Sequence, residues 1–372
     1  MEIYIHIPFC VRKCKYCAFF SVADRADLFQ AYVDALCKEI TLRAEPTTVE
    51  TIYIGGGTPT VLNVNHIARI IDAVHKNFSV APTVEITVEA NPGTVDRNYL
   101  VALRSSGVNR LSLGVQSFDD RLLRSIGRIH TARQAIDIVN DAKNIFDNVS
   151  VDLIYGLPHQ SLDDLRRSID LTKKLDVEHV SCYGLEIEEG TEFFRLQAEG
   201  RLELPSEELD ADMYDFVTTE LPRLGWRRYE ISNFAKRGFE SRHNLGYWSD
   251  AKYIGLGAGA SSYDRSERRM NVENVVEYID GINGGRDVSI LEETITRKVA
   301  IEEFFFLGLR KADGINRNHF QKKFDTSIEN IFGNVIDKLS SDGLIAVDEN
   351  HIRLTERGMK FGNIVFAEFL MM

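Results

Sequence analysis

The sequence predicts an α/β protein: a partial (β/α)6 TIM-like barrel followed by a mainly helical, winged-helix-like C-terminal unit. Three observations carry this. Strand-like and helix-like stretches alternate six times over residues 1–185, which calls for right-handed crossovers and a parallel sheet. Polar, glycine-rich or otherwise unusual residues stand at the strand ends. A barrel gathers its site from that whole rim, whereas an open sheet concentrates it at one switch point. From about residue 292 the rhythm gives way to helices and a short hairpin.

The elements follow in order. Residues 3–7, Ile-Tyr-Ile-His-Ile, alternate as a strand and lead into a loop carrying Cys10, Cys14 and Cys17. Leu28, Tyr32, Leu36 and Ile40 recur at helical spacing. Cys37 lies near that stripe and reads as a small core hydrophobe. Residues 49–54 form a strand that ends in Gly-Gly-Gly-Thr-Pro-Thr, with a helix over 64–78. The next strand, 84–89, closes on Ala-Asn-Pro-Gly and is followed by a helix over 96–106. Strand 110–115 leads through Gln116-Ser117-Phe118 into a helical stretch reaching residue 142. Strand 149–154, a helix over 161–175 and strand 177–183 complete the series. Residues 186–290 break the rhythm and are expected to cover the open side of the barrel. They contain a helix over 206–221, a strand over 226–231, the run Ser-Arg-His-Asn-Leu-Gly-Tyr-Trp (241–248) and a glycine-rich stretch, 254–260. The last unit, 291–372, places helices around 304–309, 317–324 and 328–342 ahead of the hairpin.

Composition narrows the function classes. With 372 residues, 44% hydrophobic and 27% charged, the chain can bury a large core. A net charge of −12 argues against a nucleic-acid binder, which presents a basic face. No apolar run is long enough to span a membrane, and residues 1–7 already read as a strand rather than a leader. A cytoplasmic, reducing setting is therefore expected, one in which cysteines serve a metal rather than disulfides.

The chemistry begins at the cysteines. Three of the five lie within eight residues as C-x3-C-x2-C. A structural zinc site takes four protein ligands, and a complete iron–sulfur site usually takes four cysteines. Three thiolates hold a [4Fe–4S] cluster with one iron open to a small molecule. The alternative is a zinc site completed by His6 or Cys182. Phe9, Tyr16, Phe19 and Phe20 would shield a cluster or simply pack the core. The glycine turn at 55–57 lets backbone amides approach a ligand, and Pro59 stiffens it. The G-K-[ST] ending of a P-loop is absent. Glu89, Gln116, Arg128 and Asp152 lie at or beyond strand ends. Buried carboxylates there need partners, such as an amine or ribose hydroxyls, and Arg128 suits a carboxylate. The alternative for each is a structural salt bridge. His243, amid Asn244, Tyr247 and Trp248, has the chemistry of an axial haem ligand.

These residues carry a resemblance. C-x3-C-x2-C with a nearby aromatic looks like the radical S-adenosylmethionine (SAM) superfamily. YIHIPFCVRKCKYC, GGGTPT, EANPG, GVQSF and DLIYGLP, in that order, resemble the oxygen-independent coproporphyrinogen III oxidase family over nearly the whole chain. The resemblance implies a radical SAM barrel with the cluster on Cys10, Cys14 and Cys17. It implies SAM lined by Tyr4, Tyr16, Gly56, Gly57, Thr58, Glu89, Gln116, Arg128, Asp152 and Gly184. The oxidase has a further cysteine where this chain has Phe19, and residues ahead of the first strand. His-Asn-Leu-Gly-Tyr-Trp (243–248) resembles the H-N-x-x-Y-W signature of the family's haem-chaperone branch. That branch is implied to bind haem and pass it to acceptor apoproteins. The alternative is the oxidase activity itself, oxidative decarboxylation of coproporphyrinogen III in porphyrin biosynthesis.

Overall fold

The computed structural model describes residues 1–371. β1 (Glu2–Ile7) leads into the cysteine loop, where β2 (Phe9–Cys10) and β3 (Val22–Ala23) pair in parallel. α1 (Phe29–Leu42) precedes β4 (Val49–Gly56), α2 (Val64–Asn77) precedes β5 (Val80–Ala90), and α3 (Arg97–Ser105) precedes β6 (Arg110–Gln116). α4 (Asp120–Ser125) and α5 (Ala132–Lys143) lead to β7 (Val149–Tyr155), and α6 (Leu162–Leu175) leads to β8 (His179–Gly184). The covering extension runs through α7 (Glu192–Ala198), α8 (Glu207–Arg223), β9 (Arg227–Arg228), β10 (Asn233–Ala235) and α9 (Arg242–Tyr247). It continues through β11 (Tyr253–Leu256), β12 (Ser261–Tyr263), β13 (Glu267–Asn271), α10 (Val275–Asn283) and β14 (Ser289–Thr294). The last unit comprises α11 (Arg297–Gly308), β15 (Ile315–Asn316), α12 (Arg317–Phe324), α13 (Ile328–Ser341), β16 (Ile345–Val347), β17 (His351–Leu354), α14 (Glu356–Lys360) and α15 (Gly362–Glu368).

β1, β4, β5, β6, β7 and β8 lie side by side in parallel, as the alternation predicts. Their helices form for local reasons. Ile67, Ile70, Ile71 and Val74 give α2 one buried face, and the Asn63 side chain accepts from His66 N at its start. Thr131 with Gln134, and Ser161 with Asp164, form capping boxes on α5 and α6. Each fully buried Ile, Leu or Val contributes roughly 1.5–3 kcal/mol. The packed helices thereby hold the strand ends in fixed register.

Four features depart from the sequence expectation. β11 adds a seventh parallel strand beside β1, where the sequence shows only a glycine-rich stretch. The glycines permit backbone contact: a Cβ on Gly257, at φ 97°, would lie 2.6 Å from the His6 carbonyl oxygen and 2.5 Å from the Tyr32 hydroxyl. The expected helix through residue 142 is two helices, α4 and α5, broken at Gly127 with φ 79°. The expected strand over 226–231 shrinks to β9, antiparallel to β10. β14 pairs with β13 in the main sheet and straddles the boundary drawn near residue 290. Among the described residues the twelve-stranded sheet begins on β14 and ends on β9 with no pairing between them, so the barrel is partial.

A buried carboxylate fastens the extension to the barrel. Glu39 of α1 accepts from Tyr278 Oη (2.6 Å), Asn271 Nδ2 (2.7 Å) and Gly257 N (2.8 Å). Those three donors offset the desolvation of a side chain only 2% exposed.

The C-terminal unit has its own phenylalanine-rich core. Phe305 stacks on Phe369 at 4.2 Å and meets Phe332 edge-on at 4.8 Å. Strands in the order β15-β17-β16 accompany α12 and α13, a winged-helix arrangement. The unit is tied to the rest by Ala312 N donating to Tyr229 O (2.9 Å), by the Arg268–Glu303 and Lys360–Asp215 ion pairs (both 2.7 Å), and by Arg310 lying 4.4 Å over Trp248. Among the described residues, no helix is long and apolar enough to cross a membrane.

Candidate functional site

The strand ends surround a cavity of about 530 Å³, a size suited to a small-molecule ligand. Of the residues expected to line a ligand site, Tyr16, Cys17, Gly56, Gly57, Thr58, Glu89, Gln116, Arg128 and Asp152 border this cavity. Each strand contributes by alternation. In β6, Arg110, Ser112, Gly114 and Gln116 face the cavity, while Leu111, Leu113 and Val115 are buried in the surrounding core.

Cys10, Cys14 and Cys17 are free, half-buried thiols on one loop, and Cys17 borders the cavity. Two polar groups attend them. Arg128 Nη1 lies 3.6 Å from Cys14 Sγ, and Thr58 Oγ1 lies 3.5 Å from Cys10 Sγ. The break at Gly127 makes the first contact possible, because it turns Arg128 out of the helical path. The guanidinium is held by a second bond to the Gly114 carbonyl. Lys15 N donates to Ile126 O (3.1 Å), and Phe193 N donates to Lys15 O (3.0 Å). The loop is thus fixed from both sides. Burial raises the Cys17 thiol above its ordinary value, so thiolate formation there requires positive company.

The floor carries two buried carboxylates. Glu89 accepts from Tyr53 Oη (2.7 Å) and Gly56 N (3.2 Å), and burial pushes its pKa up to about 7. Asp152 accepts from Ser112 Oγ (3.1 Å) and Ser150 Oγ (3.2 Å), and burial raises it as well. Asp152 lies within β7, level with Gly114 and Ser181, rather than at the strand's end. Arg110, 2% exposed, also faces the cavity, and its Nε is buried without a partner among the described residues. Two carboxylates and one incompletely bonded guanidinium on one floor suit a ligand bearing both charges together with hydroxyls.

The sequence reading overlooked Tyr53, Arg110, Ser112, Ser181 and Asn244, which line the same cavity. Alternation in β6 was the available signal: Arg110 and Ser112 fall in phase with Gln116. Asn244 comes from α9 and reaches the site only through the tertiary fold.

Three expected residues lie elsewhere. Tyr4 sits beneath the cavity against Tyr53, and its hydroxyl meets His6 Nδ1 at 2.9 Å. Gly184 packs on the Tyr155 ring: a Cβ there would meet the hydroxyl at 3.0 Å. His243 is 1% exposed and stacks on Tyr53 at 5.0 Å. Its Nδ1 bonds to Thr51 Oγ1 (2.7 Å) and its Nε2 to Tyr247 Oη (3.1 Å). Both ring nitrogens are thus engaged, and the imidazole braces α9 against β4.

The donor set fits an iron–sulfur cluster better than zinc. Among the described residues, no three His, Cys, Asp or Glu side chains gather closely enough to hold one ion. The proposed zinc completions are committed elsewhere. His6 Nε2 bonds to the Phe20 carbonyl at 2.9 Å, and Cys182, 3% exposed, packs in the main core with burial raising its pKa to about 12. Cys10, Cys14 and Cys17 remain, beside Arg128 and Thr58, as the residues that could hold a cluster.

Comparison with known proteins identifies the family. Residues 4–172 match the Radical SAM superfamily and residues 295–361 match the HemN C-terminal domain. The chain is 40% identical to heme chaperone HemW of Lactococcus lactis subsp. lactis (strain IL1403), covering 99% of this chain and 97% of that protein. It is 41% identical to heme chaperone HemW of Bacillus subtilis (strain 168), covering 99% and 98%. Coproporphyrinogen III oxidase (HemN) from Escherichia coli shares the fold, with a TM-score of 0.87 at 24% identity over 99% of this chain and 89% of that one. Similarity at this level over both full lengths places the chain in the heme chaperone HemW family of radical SAM proteins.

Proposed function

We propose that this protein is a haem chaperone that binds haem and transfers it to acceptor apoproteins, and that it carries a [4Fe–4S] cluster on Cys10, Cys14 and Cys17. The observation that carries this reading is the full-length similarity to proteins named heme chaperones, combined with three free cysteines on one loop, of which Cys17 borders a charged cavity. When bound, the cluster supplies an open iron to which SAM can chelate. Glu89, Asp152 and Arg110 then offer partners for the charged and hydroxyl groups of SAM. Gly56 and Gly57 leave room for close approach: a Cβ on Gly57 would meet the Phe9 carbonyl oxygen at 2.7 Å. Residence in the cytoplasm follows from the sequence reading and belongs to the same proposal.

The oxidase alternative shares the fold and is separated by one experiment. The protein is reconstituted anaerobically with iron and sulfide, SAM is added, and parallel samples receive haem or coproporphyrinogen III. The chaperone reading expects a tight haem complex that loads an apo-haemoprotein, without catalytic decarboxylation. Protoporphyrinogen IX formed over many turnovers would overturn it.

A further inference from the structure

The floor of the cysteine cavity carries buried charges that do not touch one another. Strand alternation turns Arg110 and Ser112 of β6 inward, together with Glu89 of β5 and Asp152 of β7. In register, Ser112 lies beside Glu89, and Arg110 lies one layer deeper, beside Thr87. Both carboxylates accept from neutral donors: Glu89 from Tyr53 Oη and Gly56 N, and Asp152 from the hydroxyls of Ser112 and Ser150. Arg128, the other guanidinium at this cavity, is engaged by Cys14 and by the Gly114 carbonyl. Arg110 is 2% exposed, and its Nε has no partner among the described residues.

A guanidinium does not lose its proton in a protein, so the charge of Arg110 stays inside the barrel. A buried charge is strongly destabilising unless opposite charge lies near. Glu89 and Asp152 supply it through space, because charges in a poorly screened interior interact beyond hydrogen-bond reach. The effect is mutual. Burial raises both carboxylates, and Arg110 opposes that rise in each. The other groups on this floor do not compete. Burial, with Arg110 adding to it, lowers His179 of β8 and His243 of α9, which are therefore neutral near pH 7. Tyr4 of β1 and Tyr53 of β4 face Glu89, and Tyr183 of β8 faces Asp152, all as neutral phenols at that pH.

We propose that Arg110 is a positioning residue of this cavity: it is the counter-charge that keeps Glu89 and Asp152 available as carboxylates to the ammonium and ribose hydroxyls of SAM. The proposal rests on the SAM reading of the cavity and adds a control on it. Glu89 titrates at about 7. Once protonated, it no longer attracts a cationic ligand, so SAM affinity falls as pH drops through about 7. Removing Arg110 leaves burial, and the repulsion between the two carboxylates, unopposed. The same fall then begins at higher pH.

The test is equilibrium dialysis of SAM against the full-length protein, reconstituted anaerobically with its cluster, between about pH 6.5 and about pH 9. Wild type, Arg110→Gln, Arg110→Lys and Glu89→Gln are compared, so that titration of the ligand itself cancels. Arg110→Gln should move the midpoint of the fall up by roughly one pH unit; SAM then binds roughly tenfold more weakly near pH 7, and the gap closes towards pH 9. Arg110→Lys keeps a charge and should restore the wild-type midpoint. Glu89→Gln leaves Arg110 in place and should flatten the fall, which tests the proposal even where Arg110→Gln does not fold. An Arg110→Gln deficit of the same size at every pH would make Arg110 a purely structural residue and overturn the proposal. A wild-type fall retained in Glu89→Gln would overturn it as well. If wild type binds SAM with no fall through pH 7, the role of Arg110 is overturned while the SAM reading stands. If wild type binds no SAM at any pH, the SAM reading fails and the proposal falls with it.

Discussion

Replacing His243 with alanine separates a structural brace from a metal ligand. The imidazole is 1% exposed, joins Thr51 to Tyr247 through both nitrogens, and stacks on Tyr53. Removing it leaves a cavity and deprives the Thr51 hydroxyl of its partner. The combined cost is about 3–5 kcal/mol, a large share of the roughly 5–15 kcal/mol by which domains are stable. The pH dependence is a second signature. Burial, aided by Arg110, lowers the His243 pKa from 6.5 to about 3. The unfolded chain therefore takes up a proton below 6.5 that the folded chain refuses. Stability is complete above 6.5 and is lost as pH falls towards 3, by at most about 4–5 kcal/mol from this group. His243→Ala lacks that loss. Its deficit relative to wild type should be largest near neutrality and should narrow as pH falls. Guanidinium unfolding at about pH 7.5 and about pH 5, followed by tryptophan fluorescence, measures the gap, because Trp226 is 1% exposed against the barrel. A deficit below about 1 kcal/mol, or one unchanged between the two pH values, would refute the bracing role.

Three further outcomes are expected. Cys14→Ala removes the thiol beside Arg128, and the iron bound per chain after anaerobic reconstitution should fall well below wild type; full retention would remove Cys14 from the ligand set. Glu39→Ala strands the Tyr278 hydroxyl and the Gly257 amide, costing about 2–4 kcal/mol; hydrogen exchange should show β11 and α10 loosening together, and unchanged protection there would contradict the clamp. Phe305→Ala opens the C-terminal core between Phe369 and Phe332, at a cost of about 3–5 kcal/mol; calorimetry should show the loss, and an unshifted transition would mean that this core contributes little.

Much of the site was legible because its parts are local. C-x3-C-x2-C places three thiols on one loop whatever lies around it. The β/α alternation brings strand ends to one rim, so Gly56, Gly57, Glu89 and Gln116 could be named from position alone. Arg110 was missed because a charged residue at the first position of a strand reads as solvent-facing. Burial from both sides of the sheet reverses that reading. The seventh strand was missed because Gly255 and Gly257 look like a loop until another backbone lies against them.

The sequence by itself determined the order of elements, the cysteine loop and the family, since each depends on residues close together in the chain. Tertiary structure decided the rest. Both hydrogen bonds of His243 carry information on burial: one partner, Thr51, lies on β4, 192 positions away in the chain. The break at Gly127 sends Arg128 to Cys14 across 114 positions. A further cavity, of about 490 Å³, exists only where the end of α9 meets α11 and α12. Which groups meet, and which charge lacks a partner, are properties of contacts between distant segments. No spacing within one segment can encode them.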